Sequence, residues 1–286
     1  MEAVGAQHHV SGRADYCGPV TGPQSRSLVF PNGAGALMLR VSYGELLAQL
    51  KQSFEALGYS LGEYESAATS VLSLELWGFG GLALLEAALP SLELHKQWAP
   101  AVTYESNALM LDCFQGSALF GLIPSMELIY VKARQHGVSR ATLVNCTEPE
   151  FMLPLLMQVC QRGYYASIRW PSTEDPTHLR WVRLEGDVTG IRVDSKIWQA
   201  SAPLEASVSI EVAQSDWDFS SDHSDPEGQG LSLQDHWGNT ALQALFEERY
   251  MASVTIDPWL WSRLQDLGRR VLVPSTEASR SGAGAD

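Results

Sequence analysis

The sequence is short of basic residues and of cysteine. Lys and Arg together number 19 in 286 residues, against 33 Asp plus Glu, so the formal net charge is −14. A negative field of this size repels phosphate backbones and anionic lipid surfaces, and the composition therefore predicts neither nucleic acid nor a membrane as a partner. The four cysteines, at positions 17, 113, 146 and 160, have no CxxC spacing and suggest no framework of pairs. In a chain of this size that usage indicates reduced thiols and a cytoplasmic location.

Long apolar runs and recognisable metal motifs are missing too. No stretch of 18 residues is apolar throughout, and the first residues lack the basic start and apolar centre of a signal peptide. The chain contains no HExxH and no closely spaced Cys and His that could share a metal ion. By motif alone, the sequence predicts no metal and no cofactor.

Hydrophobic residues make up 45% of the chain, which is enough for a full core. Between residues 107 and 170 the pattern alternates, and we predict strands at 108–112, 141–145 and 165–170 with helices at 124–136 and 148–162. Strands and helices of these lengths favour right-handed α/β crossovers with helices covering a sheet. The fold class predicted is α/β, with an N-terminal helical segment followed by a mixed sheet with covering helices.

One α/β domain is expected over residues 38–270. Residues 1–37 are rich in Gly, Pro, Ser and Gln and predict a disordered leader, while 271–286 form a C-terminal tail. The parts of the domain are a helical segment (41–90), the central α/β unit (105–170), a β-rich part (178–213), an acidic loop (215–230) and C-terminal helices (240–270).

Several helix boundaries carry local signals. A Ser or Thr followed three residues later by Glu predicts a capping box at Ser42, Ser60 and Thr147. Pro90 predicts the end of a third apolar helix. Between the second and third helices lies Gly78-Phe-Gly-Gly81, which could be a phosphate loop but follows a helix, so we interpret it as a helix–helix corner.

Two cysteines stand where a predicted strand ends. Cys113 follows the strand at 108–112 and Cys146 follows the strand at 141–145, and α/β sheets usually place their sites at this edge. Either could be a thiolate nucleophile, although no His partner is visible in the sequence. The alternative is that both are small buried apolar residues.

Two blocks resemble the malate/L-lactate dehydrogenase family with the non-Rossmann nicotinamide fold. The first, 41–89, is two capped helices, a bulky corner and a third helix. The second, 120–145, looks like that family's helix ending in Lys132-Ala-Arg134 and Gly137, followed by a strand that closes on Asn145. The resemblance implies hydride transfer with NAD(P).

The chain departs from that family at both of its histidines. The corner that carries the family's catalytic His, in Asp-Ser-His-Gly, is Trp77-Gly-Phe-Gly-Gly81 here, and the family's Asn-Ser-x-His-Phe-Gly becomes Asn145-Cys-Thr-Glu-Pro-Glu150. The family's Gly-Gly-x-Lys-Gly segment is also absent. Because hydride transfer needs a proton donor beside the group being reduced, these losses predict a scaffold without that activity.

The C-terminal tail resembles the closing signature of an uncharacterised bacterial protein family. The segment Pro-Ser-Thr-Glu-Ala-Ser-Arg-Ser-Gly-Ala-Gly-Ala spans 274–285. Arg280 is a fixed cation that could clamp a carboxylate, either on a ligand or on Asp112. Hydrogen-bonding groups surround it at Ser275, Thr276 and Ser279, and a second carboxylate lies at Glu277.

Two hypotheses follow from these observations. In the first, the chain is a degenerate dehydrogenase-like scaffold that acts as a small-molecule-binding or accessory protein. In the second, it is an enzyme that acts on a small carboxylate or amino-acid-like substrate through Cys113, or through Glu277 and Arg280. Both predict a small carboxylate-bearing molecule as partner, and a homodimer stays open as the assembly.

Overall fold

The computed structural model describes residues 38–94, 100–105, 108–119, 122–172, 175–187, 190–215, 232–237 and 239–271. The predicted leader, nearly all of the predicted acidic loop and nearly all of the tail lie outside these residues. No helix within the described ranges is both long and apolar enough to cross a membrane.

The described residues form seven α-helices and ten β-strands. The α-helices are α1 (Tyr43–Ala56), α2 (Leu61–Leu76), α3 (Gly81–Leu94), α4 (Leu122–His136), α5 (Met152–Cys160), α6 (Asn239–Met251) and α7 (Pro258–Gly268). The strands are β1 (Leu39–Val41), β2 (Ala101–Glu105), β3 (Ala108–Ser117), β4 (Val138–Thr147), β5 (Tyr165–Pro171), β6 (His178–Asp187), β7 (Gly190–Gln199), β8 (Ser207–Ala213), β9 (Ser232–Trp237) and β10 (Val254–Ile256). The predicted α/β class is therefore confirmed.

Eight of the strands form one mixed sheet, in the order β2-β3-β4-β8-β5-β6-β7-β9. Only β3 and β4 pair in parallel, and α4 connects them, as the predicted crossover requires. The second crossover differs from the prediction, because β8 lies between β4 and β5 and runs antiparallel to both. Separately, β1 pairs with β10 in a two-stranded ribbon.

The core lies on one face of the sheet. Alternate residues of the central strands, such as Leu143, Ile210 and Ile168, are fully buried there. Helix α4 packs on β4 and β8, α5 packs on β5 and β6, and α2 packs on α5. Nearly every residue of α5 is buried, as its apolar sequence predicts. With the helices packed in this way, the carboxyl ends of β3 and β4 lie together beside α5. We call this end of the two strands the edge.

The predicted capping box at Thr147 and Glu150 is wrong. Thr147 is the last residue of β4, and its hydroxyl donates a hydrogen bond to the Glu148 carboxylate at 2.7 Å. Glu150 instead accepts a hydrogen bond from the indole of Trp170 at 3.2 Å. The cause is a 3-10 turn at Pro149–Phe151, which delays the start of α5 to Met152. By contrast, both hydrogen bonds of the capping box predicted at Ser60 are present.

The predicted end of α3 at Pro90 is wrong as well. The helix continues through Pro90 to Leu94. Leu85, Leu89 and Leu92 are buried on one face of it. Burying Leu92 in the last turn offsets the loss of the hydrogen bond that a proline cannot donate.

Gly186, near the end of β6, holds α5 close to the sheet. A Cβ atom at this position would lie 1.8 Å from the backbone carbonyl oxygen of Cys160, which cannot turn aside as a flexible side chain could. We expect Gly186→Ala to push the end of α5 off the sheet and to lower the free energy of unfolding by about 1–3 kcal/mol. The measurement is urea unfolding followed by circular dichroism.

Gly62→Ala is the matched control for that substitution. Gly62 lies in the first turn of α2, and an added Cβ there would meet no atom within 4 Å. Since alanine favours a helix more than glycine does, this change should raise the free energy of unfolding by up to about 1 kcal/mol. Equal unfolding midpoints for the two variants would contradict the close approach at Gly186.

Candidate functional site at the carboxyl ends of β3 and β4

The parallel pair β3 and β4 loses its regular register at its carboxyl end. Asp112 pairs with Val144, and the next pair is Gly116 with Cys146. Residues 113–115 of β3 therefore stand opposite the single residue Asn145 of β4. A bulge of this kind bends the strand and re-aims its side chains.

Backbone strain is concentrated at this edge. Among the described residues, every non-glycine residue with a positive φ lies here: Phe114 (51°), Gln115 (64°), Asn145 (54°) and Glu148 (47°). A non-glycine residue in such a conformation costs on the order of 1–3 kcal/mol, and clusters of them are typical of active sites and ligand clamps. The chain keeps side chains at four positions where glycine would relieve the strain.

A polar network joins the two strand ends. The Asp112 carboxylate accepts hydrogen bonds from the Asn145 amide and from the Phe114 backbone N–H, both at 2.9 Å. The Gln115 amide donates to the Asn145 amide oxygen at 3.1 Å. The bond from Asn145, followed by that from Phe114, lowers the pKa of Asp112 below its usual value. Asp112 is thus ionised at neutral pH, and its residue is partly exposed.

Two thiols lie on the core side of the same edge. Cys113 is nearly buried and Cys146 half-buried, and both pack into the hydrophobic core. The pKa of Cys146 is raised well above its usual value, first by a side-chain hydrogen bond with Cys113 and then by burial. The charges of Glu148 and Glu150 add to this shift. Because the proton stays on Cys146, this thiol is a poor nucleophile at neutral pH.

Glu150 is the third carboxyl group at this edge, after Asp112 and Glu148. Burial raises the pKa of Glu150, and this effect outweighs the opposing charge of Arg180 and the hydrogen bond from Trp170. Asp112, Glu148 and Glu150 make the described edge acidic, so it favours a cationic group on a ligand over an anionic one.

Neither of the two histidines with described side chains takes part in this arrangement. Of those with described side chains, His178 pairs with Asp175 at 3.0 Å and His136 is the last residue of α4. In the described ranges, no group of three His, Cys, Asp or Glu side chains is placed to hold a metal ion. Chemistry at this edge therefore depends on carboxylates, amides and thiols.

The glycine-rich corner is closed by packing. It joins α2 to α3, which confirms the helix–helix corner. A Cβ at Gly78 would lie 2.6 Å from Leu245 of α6, and the Trp77 ring packs edge-on against Phe246. The backbone N–H groups of residues 77, 78 and 79 all donate to carbonyls at the end of α2, so none is free to bind phosphate.

This corner is where the dehydrogenases that the sequence resembles carry their catalytic histidine. The amides of residues 77 to 79 are used by carbonyls of α2, Gly78 packs against Leu245 of α6, and the segment 77–81 contains no histidine.

The sequence pattern at residues 58–62 can be interpreted only once the fold is known. Gly58-Tyr-Ser-Leu-Gly62 matches the spacing GxSxG, which in hydrolases places a nucleophilic serine between a strand and a helix. Here the segment connects two helices, and Ser60 caps α2 together with Glu63. Ser60 is therefore a structural residue.

The structure brings together only part of the predicted site. Cys113 is placed beside Cys146, which sequence spacing had not connected. Glu277, Arg280, Ser275, Thr276 and Ser279 lie outside the described residues, and their roles stay predictions. Sequence reasoning missed the network of Asp112, Gln115 and Asn145. Asn145 was the available signal, because asparagine enters the left-handed region more readily than most residues.

Asn145→Ala should raise the pKa of Asp112 towards its usual value, because the strongest cause of its lowering is removed. Since the lowered pKa belongs to the folded state, it contributes stability above the unfolded pKa that is lost as the pH falls through the folded pKa. The variant should lose this contribution. Carboxyl NMR titration measures the pKa directly.

Asp175 serves as the internal control in that titration. Its pKa is also lowered, but chiefly by the side chain and backbone of Thr177. It should titrate unchanged in the variant. An unchanged pKa at Asp112 would show that the Asn145 bond does not hold this carboxylate in solution.

Comparison with known proteins gives a family match and a fold. Residues 41–135 match a family described as "Protein of unknown function (DUF3726)". No curated protein matches the sequence.

Solved structures match over most of their length. A dehydrogenase from Sinorhizobium meliloti has a TM-score of 0.61 at 12% identity and covers 81% of this chain and 99% of its own. Malate dehydrogenase from Entamoeba histolytica gives 0.57 at 9% identity, covering 83% of this chain and 100% of its own. Delta1-piperideine-2-carboxylate reductase from Pseudomonas syringae gives 0.51 at 14% identity, covering 80% of this chain and 99% of its own. The chain has the fold of these malate/lactate dehydrogenase-like proteins.

Proposed function

We propose that this chain is a dehydrogenase-like scaffold that binds a small molecule carrying an amino group, at the carboxyl ends of β3 and β4, and does not transfer hydride. The observation that carries the proposal is the clustering of all four strained non-glycine residues of the described chain at this one edge. Strain persists where the surrounding structure holds it, and such places are commonly ligand sites. In open α/β sheets, ligands also bind outside the carboxyl ends of the strands.

The charge of the edge supports an amine as the group recognised. Asp112 is ionised and partly exposed, and its two hydrogen bonds hold it in place for a second partner. Glu148, which accepts a hydrogen bond from the Thr147 hydroxyl, follows the end of β4 and comes three residues after Asn145. No basic side chain hydrogen-bonds to Asp112 or Glu148 among the described residues, so an ammonium group can bind without displacing one.

A carboxylate on the same ligand would need a cation. Arg280 of the tail has the planar guanidinium fork that matches a carboxylate. An amino-acid-like molecule carries both groups, and it would unite the acidic edge with the predicted role of Arg280. This part of the proposal depends on the tail.

The absence of hydride transfer is tested with NADH and NADPH. We expect no saturable change in nicotinamide fluorescence at NADH or NADPH concentrations up to the millimolar range. We also expect no oxidation of either nucleotide in the presence of 2-keto acids or cyclic imines. The physical reason is the corner at Gly78, where the amides of residues 77 to 79 are bonded to carbonyls of α2 and no histidine is present to donate a proton. Saturable binding followed by oxidation of NADH would overturn the proposal.

Ligand binding is tested by thermal shift with three matched compounds: β-alanine, propylamine and propionate. We expect β-alanine and propylamine to raise the melting temperature and propionate to leave it unchanged, because only the first two present an ammonium group. Asp112→Asn should abolish both shifts. Asp266→Asn is the control, because this exposed carboxylate pairs with Arg269 on α7.

The same three compounds test the role of Arg280 in the C-terminal tail. If Arg280 holds the carboxylate, Arg280→Ala and Arg280→Lys should each reduce the β-alanine shift to that of propylamine, since both lose the guanidinium fork. Arg270→Ala, which changes an exposed arginine after α7, should leave it unaltered. Equal shifts from all three compounds would contradict recognition of the amine.

A further inference from the structure

Two buried tryptophans lie on the face of the sheet that is opposite the core. Trp181 of β6 is 1% exposed and Trp198 of β7 is 3% exposed. Val182 of β6 and Val193 of β7 belong to the hydrophobic core. Because side chains alternate between the two faces of a strand, both tryptophans point away from that core.

Both indole N–H groups lack a hydrogen-bond partner within the part of the chain that the structure describes. An indole can only donate, and a buried donor left unpaired costs on the order of 1–3 kcal/mol. Trp170 of β5 shows how the fold treats another buried indole, since its N–H donates to the Glu150 carboxylate at 3.2 Å. Trp181 and Trp198 therefore present two buried donors that a charged oxygen acceptor would stabilise.

The side chain of Lys196 brings a positive charge to the two indoles. Lys196 lies directly opposite Trp181 in the antiparallel ladder of β6 and β7, and two residues before Trp198. Its ammonium is 5.5 Å from the ring centroid of Trp181 and 5.8 Å from that of Trp198. A cation at this distance is attracted to both rings. Two N–H donors and one ammonium thus share a small region of the sheet.

The residues around the two indoles are mainly basic, in a chain whose net charge is −14. Arg169 lies opposite Trp181 on β5, and Arg183 follows two residues after Trp181 on β6. Asp194 lies opposite Arg183, and its carboxylate is 3.9 Å from the Lys196 ammonium, which is too long for a hydrogen bond. Because the basic side chains outnumber this carboxylate, the region favours an anion.

We propose that Trp181, Trp198 and Lys196 bind a phosphate group, either as the free ion or as a monoester. A tetrahedral oxyanion carries oxygens in several directions, so it can accept hydrogen bonds from three separate side chains. Its two negative charges also suit the surplus of basic residues. A monocarboxylate has a single charge and two oxygens in one plane, and is therefore the weaker ligand at this place.

Access for the anion runs past Lys196. The side chain of Lys196 is 15% exposed and that of Asp194 is 38% exposed. The indole nitrogens themselves are covered, so the anion enters as the lysine side chain turns outward on its flexible four-carbon stem. Binding then exchanges the long ion pair with Asp194 for a closer contact with phosphate.

The inference does not rest on the proposed function, because the two sites are separate. Strands β8 and β5 lie between β4 and β6. With neighbouring strands about 4.8 Å apart, β6 is roughly 14 Å from β4 across the sheet. Asp112→Asn, which changes the amine site, should therefore leave phosphate binding unaltered.

The test follows the indole N–H signals of the full chain by proton–nitrogen correlation NMR. Trp181→Phe, Trp198→Phe and Trp170→Phe assign three of the nine signals. Inorganic phosphate and glycerol phosphate are titrated separately at mildly alkaline pH, with sodium chloride and sodium propionate at matched ionic strength as controls.

We expect phosphate to move the N–H signals of Trp181 and Trp198 downfield together until they saturate, because both N–H groups gain a charged acceptor. The signal of Trp170 should stay in place, since Glu150 already accepts its hydrogen bond. A response to inorganic phosphate alone assigns the site to the free ion, and a tighter response to glycerol phosphate assigns it to a monoester.

Lys196→Met tests the role of the ammonium. The variant should weaken phosphate binding at least about tenfold, because a charge-assisted hydrogen bond is lost. Lys51→Met is the matched control, since Lys51 lies on α1 and pairs with Glu65 at 3.0 Å. Circular dichroism of each variant checks that it is folded.

Three outcomes would overturn the inference. They are indole signals that phosphate leaves unmoved in the unaltered chain, equal shifts with sodium chloride or propionate, and saturable binding that Lys196→Met does not weaken. The first is measured without any variant, so it holds whether or not the variants fold. Because these titrations contain no amine, their failure and the failure of amine binding are separate results.

Discussion

A hydrogen bond of 2.9 Å between the Asn145 amide and the Asp112 carboxylate joins β3 to β4 where their regular pairing ends. Beyond it, three residues of one strand face one residue of the other, and four side-chain-bearing residues adopt left-handed conformations. A strained bulge of this kind persists only when something fixes both of its sides. The same bond lowers the pKa of Asp112, and the two residues that it joins immediately precede Cys113 and Cys146.

This chain combines the dehydrogenase-like fold with a corner between α2 and α3 that carries no histidine. The scaffold matches solved dehydrogenase structures over nearly their whole length, yet the corner at Gly78 is filled by α6. Aromatic packing of Trp77 on Phe246, and of Phe246 on Tyr250, occupies the surface beside it. A fold can host many functions, and here the polar groups lie at the end of the parallel strands instead.

Local signals in the sequence determined much of the secondary structure. Helices with a capping residue and an apolar face, such as α1, α2 and α7, could be predicted because the hydrogen bonds that start them are made within four residues. The predictions for Thr147 and Pro90 were wrong because each depends on a contact that is remote along the chain. Trp170 takes the Glu150 carboxylate away from the helix start, and burial of Leu92 carries α3 past the proline.

Composition and periodicity by themselves determined the α/β class, the central β3-α4-β4 crossover and the position of Cys146 near the end of β4, whereas β3 continues past Cys113 to Ser117. Only the tertiary structure decided the neighbours of each strand. Period-two patterning predicts a strand but not its partner, and β8 takes its place between β4 and β5 with Glu211 fully buried and 3.4 Å from Arg140. The hydrogen bond between Asp112 and Asn145 likewise joins residues 33 positions apart, beside a register shift that no local pattern encodes, because the pairing of strands is a long-range interaction.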